Sequence, residues 1–185
     1  PVNTTITYEQ PLNERVRNFL RVEYLFDQLE HYINSQSEWD SRHALSLLLN
    51  IVDFLTRSDL KTELIKELER HSTTLKNLEK SRGVDLKRLV SVLDEINVYL
   101  TSLRDSNYQP GQSLKQNDFI TNIKQRNSIP GGSCSFDLPN FYCWLHKPFT
   151  KRYEQLREWQ DDLQLISKSI KLSLQMIRNS TNPHA

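Results

Sequence analysis

Six apolar residues between positions 86 and 103 decide what kind of fold this chain can adopt. Leu86, Leu89, Leu93, Ile96, Leu100 and Leu103 recur at alternating steps of three and four. That period puts side chains on one face of an α-helix, not on alternate faces of a strand. Asp85 stands just before them, where a short carboxylate can accept from the unpaired amides of a first turn. A seam of this kind suits shallow-angle packing in a helical bundle.

The same period runs through most of the chain. Asn13 reads as the N-cap of a helix reaching about Ile33, with Glu14 in the first turn and Phe19, Val22, Phe26, Leu29 and Ile33 on its buried face. Ser41 is expected to cap a second helix carrying Leu45, Leu48, Val52 and Leu55. Asp59 starts a third, with Leu60, Leu64, Leu68, Leu75 and Leu78 on the core side, His71 in line with them, and Gly83 closing it. Residues 106–113 read as a loop, and 117–127 as a shorter helix with Phe119, Ile120 and Ile123 inward. Asp137 is expected to cap a brief helix that has Pro139 early and an apolar turn of Phe141, Tyr142, Trp144 and Leu145, stopped by Pro148. Thr150 opens a last long helix, in which Leu156, Trp159, Leu163, Ile166, Ile170, Leu174 and Ile177 step by three and four. Residues 5–10 alternate β-branched or aromatic with polar side chains and read as a short strand ended by Pro11, with no second strand legible to pair with it. The fold class is therefore all-α: a bundle of about seven helices with a short N-terminal strand. Its heptad-like seams also suit a homodimer.

One stretch breaks the helical pattern. In Ser128-Ile129-Pro130-Gly131-Gly132-Ser133-Cys134-Ser135-Phe136-Asp137-Leu138-Pro139, two adjacent glycines allow a sharp turn between helices. Cys134, with His146 as base and Asp137 to orient it, would make a thiol-dependent hydrolase or transferase. The G-x-S-x-G elbow and its strand–turn–helix frame are absent, however, and Asp137 has a capping role available. No enzymatic activity is expected. Cys134 and Cys143 are read as two reduced, buried thiols. Their spacing and the scattered histidines (31, 43, 71, 146 and 184) do not make a metal site, no phosphate-binding glycine motif occurs, and no cofactor is expected.

Charge excludes further classes. Twenty-four basic and 23 acidic side chains leave a net charge of +1, and basic residues come in scattered pairs without a stripe interleaved with aromatics, so nucleic acid is not an expected partner. Mean hydropathy is −0.63, and the apolar cluster at 45–52 is far shorter than the roughly 20 residues a membrane span needs. The N-terminus shows neither the basic nor the apolar region of a signal peptide, so a cytoplasmic protein without membrane insertion is expected. What remains is recognition of another protein. Arg17 and Arg21, Arg57 and Lys61, Lys124 and Arg126, and His146 and Lys147 would make an electropositive pocket with aromatic walls if the bundle gathered them.

Three segments carry a resemblance. Residues 11–23 (Pro11-Leu12-Asn13-Glu14-Arg15-Val16-Arg17-Asn18-Phe19-Leu20-Arg21-Val22-Glu23), residues 61–70, and residues 125–139 followed by Trp144-Leu145-His146 resemble, in the same order, the ZapD family of bacterial cell-division proteins. The resemblance implies a non-enzymatic homodimer that binds the C-terminal tail of FtsZ, cross-links its protofilaments into bundles and stabilises the Z ring at mid-cell. It places Arg17 and Arg21 in the matching motif. It also implies a small C-terminal β domain missing here. Residues 1–10 would then be a strand belonging to that absent or disordered domain, and residues 11–185 the helical and dimerising domain.

Overall fold

The computed structural model describes residues 8–78 and 85–180. Among them are nine α-helices: α1 (Glu14–Ile33), α2 (Glu38–Arg57), α3 (Leu60–Leu78), α4 (Leu86–Arg104), α5 (Gln112–Lys115), α6 (Asp118–Asn127), α7 (Pro139–Leu145), α8 (Phe149–Asp161) and α9 (Gln164–Ser180). No strand occurs among the described residues. Tyr8, Glu9 and Gln10 have no regular structure, and the rest of the expected N-terminal strand, like Gly83, lies outside the described residues.

Two features raise the helix number from the expected seven. The last helix is interrupted at Asp162, where Leu163 donates to the Gln160 carbonyl at 2.9 Å in place of the regular i→i−4 partner. The Asp162 side chain meanwhile accepts from the amide and hydroxyl of Ser113, at 3.1 and 2.8 Å. That carboxylate anchors α5 within the expected loop, behind Gly111 at φ +76°. A Cβ at Gly111 would lie 3.1 Å from the Val52 side chain, so glycine suits both the backbone and the space.

The caps agree with expectation where a short polar residue precedes an uninterrupted seam. Asn13 accepts from Val16 and Asp85 from Lys87 and Arg88. Two assignments are corrected. Ser37, not Ser41, caps α2, and Ser41 is buried inside the helix. Asp137 caps nothing, because α7 begins after Leu138 without a side-chain cap. The last helical stretch likewise opens at Phe149 behind Pro148, one residue before Thr150.

Helices α1 and α2 pack along each other, α3 packs along α4, and α9 touches α1, α3 and α4. The core holds all five predicted α1 residues and continues through Leu45, Leu48, Ile51, Leu64, Leu68, Ile96 and Leu103 to Leu156, Ile166 and Ile170. The seam of α4 is buried at Leu89, Ile96, Leu100 and Leu103, but Leu86 is exposed and Leu93 half-buried. Leu78 and Tyr142 are also exposed. Leu78 and Leu86 stand at the facing ends of α3 and α4, and Tyr142 lies beside the buried face of α7 that Phe141, Trp144 and Leu145 occupy.

Burial is kept polar at two points. Arg152 of α8 is 4 % exposed and donates to Ser41 Oγ (3.0 Å) and to the carbonyls of Leu145 (3.0 Å), Gln36 (2.6 Å) and Lys147. In the second, Glu67 lies buried between α1 and α3. Burial pushes its carboxyl up, but bonds from Arg70 and Arg15 outweigh this and hold it below the usual carboxylate range. His71, predicted in the apolar stripe, is buried beside it, and desolvation lowers its pKa so that the neutral ring is favoured.

Replacing Arg152 strands several buried acceptors at once. Arg152→Met is expected to cost about 3 kcal/mol or more, since hydrogen bonds from charged groups contribute roughly 1.5–3 kcal/mol each. Urea unfolding at neutral pH checks this. A surface pair gives the pH counterpart. Hydrogen bonds from Arg157 pull the Glu30 carboxyl down to about 2 from its ordinary 4.5. Because the folded value is the lower one, this pair stabilises fully above about pH 4.5, and the benefit is lost as pH falls towards 2. The stability difference between wild type and Arg157→Met should therefore shrink from pH 7 to pH 2 in urea titrations.

Candidate functional site

The glycine loop and the two helices beside it form a strap laid along the outside of α2. Lys124 of α6 pairs with Asp53, Arg42 reaches the loop at Ser133, and His146 lies 3.8 Å from Glu38 at the start of α2. The loop is a chain of tight turns: Ile129 donates to Arg126, Gly132 to Ile129, Cys134 to Gly131 and Leu138 to Cys134. Gly131 has φ +72°, in the left-handed region. Gly132 is there for space: a Cβ would sit 2.5 Å from the Arg126 carbonyl oxygen.

Beneath the strap, Phe119, Phe141, Trp144 and Trp159 form an aromatic cluster with ring centroids 5.8–6.2 Å apart. The Trp144 indole donates to Gln155 at 2.8 Å, which satisfies its one polar atom. A cleft of about 340 Å³ opens between α6 and α7, with Phe119, Ile123, Leu138 and Phe141 as apolar lining and Arg126 and Asp137 among its polar groups. Trp39, Phe136 and Tyr142 are exposed on the strap and the adjoining turn of α2.

The eight predicted basic residues fall into three groups. Lys124, Arg126, His146 and Lys147 belong to the strap. Arg126 lies 3.7 Å from Asp137, the His146 ring lies tilted against Tyr142 with centroids 4.2 Å apart, and the Lys147 side chain makes no bond to a described residue. Arg17 and Arg21 are on the outward face of α1, both reaching Glu14, at 2.8 and 3.4 Å, beside exposed Tyr24. Arg57 and Lys61 sit at the α2–α3 corner, where Lys61 donates to the carbonyls of Tyr108 (2.6 Å) and Asp105 (3.3 Å). Glu38, beside His146, and Arg57 are the two ends of α2, so the strap's His146 and the corner are about 28 Å apart at 1.5 Å per residue.

The catalytic alternative finds no geometry. Cys134 donates to Asp137 at 3.3 Å, but His146 turns Nδ1 to the Tyr142 carbonyl (2.8 Å) and Nε2 towards Glu38. No contact joins Cys134 to His146 among the described residues. Both thiols are free, yet neither is fully buried as expected: Cys134 is half-buried and Cys143 exposed on the outer side of α7, opposite Phe141, Trp144 and Leu145.

Sequence reasoning missed Arg42. Its guanidinium lies 4.8 Å from the Phe141 ring centre and 5.5 Å from that of Trp39, and Nη1 donates to Ser133 Oγ at 2.7 Å. Burial lowers its pKa. An isolated arginine between a tryptophan and a leucine-rich stretch carries no periodic signal, because its partners arrive from 91 residues away.

Comparison with known proteins places this architecture. The profile of the family described as "ZapD: Cell division protein" matches residues 20–185. The chain belongs to the ZapD family. Cell division protein ZapD of Cupriavidus taiwanensis is 38 % identical over 175 residues, covering 95 % of this chain and 69 % of that protein. The ZapD of Nitrosomonas eutropha is also 38 % identical, and that of Coxiella burnetii 37 % over 98 % of this chain and 70 % of its own. Residues 125–139, within the matched span, form the loop and contribute Arg126, Asp137 and Leu138 to the cleft. No described helix is long and apolar enough to cross a membrane.

Thiol reactivity separates the two readings of the loop. Ellman's reagent should react in two phases, fast at Cys143 and slow at Cys134; equally fast reaction of Cys134 in a Cys143→Ser protein would restore the nucleophile. Gly132→Ala is expected to destabilise by about 2 kcal/mol through overpacking, measurable by urea unfolding.

Proposed function

We propose that this ZapD-family chain is a non-enzymatic division adaptor that binds the C-terminal tail of FtsZ and cross-links FtsZ protofilaments, stabilising the ring at mid-cell in the cytoplasm. The observation that carries the reading is family membership over nearly the whole chain. The surface chemistry supports it: strap and α1 present cations beside exposed aromatics, which is what an acidic peptide with apolar residues requires. Residues 11–185 act as the helical, dimerising domain. A dimer with one tail site per subunit is the minimal bridge between two filaments, and the repeated tails of a polymer turn weak contacts into avid binding. The tail contacts are assigned to Arg17 and Arg21 on α1, Arg57 and Lys61 at the corner, and Lys124, Arg126, His146 and Lys147 on the strap.

Co-sedimentation of the full-length protein with FtsZ polymers tests this. Wild type should pellet with FtsZ and bundle it, and the effect should weaken with salt, since exposed charges are screened over about 8 Å at physiological ionic strength. Arg17→Glu with Arg21→Glu should abolish bundling while the circular dichroism stays helical. Absence of co-sedimentation by wild type would overturn the function, and unchanged bundling by the double variant would move the site off α1.

A further inference from the structure

Most basic side chains on the strap have their charge met nearby. Lys124 has Asp53, Arg126 has Asp137, and His146 has Glu38. Arg42 does not. It is half-buried between the rings of Trp39 and Phe141, and no carboxylate among the described residues lies within ion-pair distance of it. Its bonds both come from Nη1, to the hydroxyl and carbonyl oxygens of Ser133, at 2.7 and 3.3 Å. Nε and Nη2 donate to no described residue, and they are not among the fully buried unpartnered polar atoms, so they are not sealed from solvent.

That arrangement differs from Arg152, whose donors are spent on four internal acceptors. A guanidinium that is partly desolvated, keeps two donors unspent and has no counter-charge is suited to a planar anion bound edge-on. The neighbouring carboxylates do not compete for it: Glu38 faces His146, Asp40 accepts from the Ser35 hydroxyl, and Asp137 lies against Arg126 and Cys134. Beside the fork stands Trp39, 75 % exposed on the first turn of α2 and too open to serve the core. Exposed indole next to an unspent arginine supplies an apolar wall and a carboxylate receptor within one side chain's reach.

The geometry points to Arg42 and Trp39 as a carboxylate-binding site for an acidic peptide, in which an Asp or Glu of the partner takes the outward edge of the guanidinium and an adjacent apolar residue packs on the indole. This rests on the proposed adaptor function for the partner's identity, though the site itself does not depend on it. The partner is a peptide and not a nucleic acid, because a single half-buried arginine walled by aromatics offers one anion position, where a phosphate backbone is held by a row of cations.

Fluorescence titration of the full-length protein tests the site. Trp144 and Trp159 are buried, so the part of the response that is lost in Trp39→Phe reports a ligand that covers Trp39. The probe is a blocked peptide of alternating Asp and Phe, with its Asn–Phe counterpart as the uncharged control. Expected are a change in Trp39 emission with the acidic peptide, binding at least about tenfold weaker for the control, and a similar loss in Arg42→Met. Trp39→Ala should weaken binding, read by calorimetry. Ser133→Ala cuts the tie to the loop but leaves the outward fork, and should bind within about threefold of wild type, the scale of a modest neutral hydrogen bond. Unchanged affinity in Arg42→Met overturns the proposal. So does a loss in Ser133→Ala equal to that in Arg42→Met, because Arg42 would then act only by holding the loop. If the peptide binds as expected but wild type fails to sediment with FtsZ, the adaptor reading falls and the carboxylate site stands; if Arg42→Met binds normally while FtsZ is still bundled, the reverse holds.

Discussion

Arg152 is the buried polar contact that ties the end of the strap to the bundle. It rises from α8, and its acceptors are the carbonyls of Leu145 at the end of α7 and of Lys147 just beyond it, the Gln36 carbonyl before the α2 cap and the Ser41 hydroxyl inside α2. A guanidinium can serve such a junction because its planar fork offers five donors and is more weakly hydrated than an ammonium. Helix ends leave carbonyls unsatisfied, and here one buried side chain takes up that of Leu145 at the end of α7 together with the carbonyl just before the α2 cap. The strap's position along α2 follows, since α7 cannot slide without breaking bonds that water cannot replace.

From that junction outward the strap is stitched by progressively more exposed contacts. The aromatic cluster of Phe119, Phe141, Trp144 and Trp159 fills the underside, and Arg42 to Ser133 and Lys124 to Asp53 tie the upper side. The glycines allow the chain to turn tightly enough to bring Asp137 back to Arg126. A rigid scaffold below and a polar, aromatic surface above is the usual division of labour between packing and recognition. In a chain with net charge near zero, acidic groups neutralise most of these cations in pairs, and the few unspent donors stand out against that background.

The helical elements were legible to the extent that a residue's role depends on near neighbours. Asn13 and Asp85 cap as expected because capping reaches only two or three residues. The α1 face, from Phe19 to Ile33, is buried as its period requires. Ser41 and Asp137 were misread for the opposite reason. Each has the composition of a cap, but each is claimed by a distant group, Ser41 by Arg152 and Asp137 by Arg126. The interruption at Asp162 was hidden in the same way, because its carboxylate serves Ser113, 49 residues earlier.

The candidate site shows the same boundary more sharply. The sequence by itself determined the helical class, most of the buried faces, the turn at Gly131 and Gly132, and the motifs shared with the ZapD family, because local period, backbone freedom and residue identity are all properties of short segments. Only the tertiary structure decided which cations share a surface. It divided eight basic residues among the α1 face, the α2–α3 corner and the strap, removed His146 from Cys134, and brought Arg42 between two aromatic rings. Charge carries no period that marks its partner. Where a side chain more than a helical turn away must be met, packing of the core sets the distance, and the polar surface follows from it.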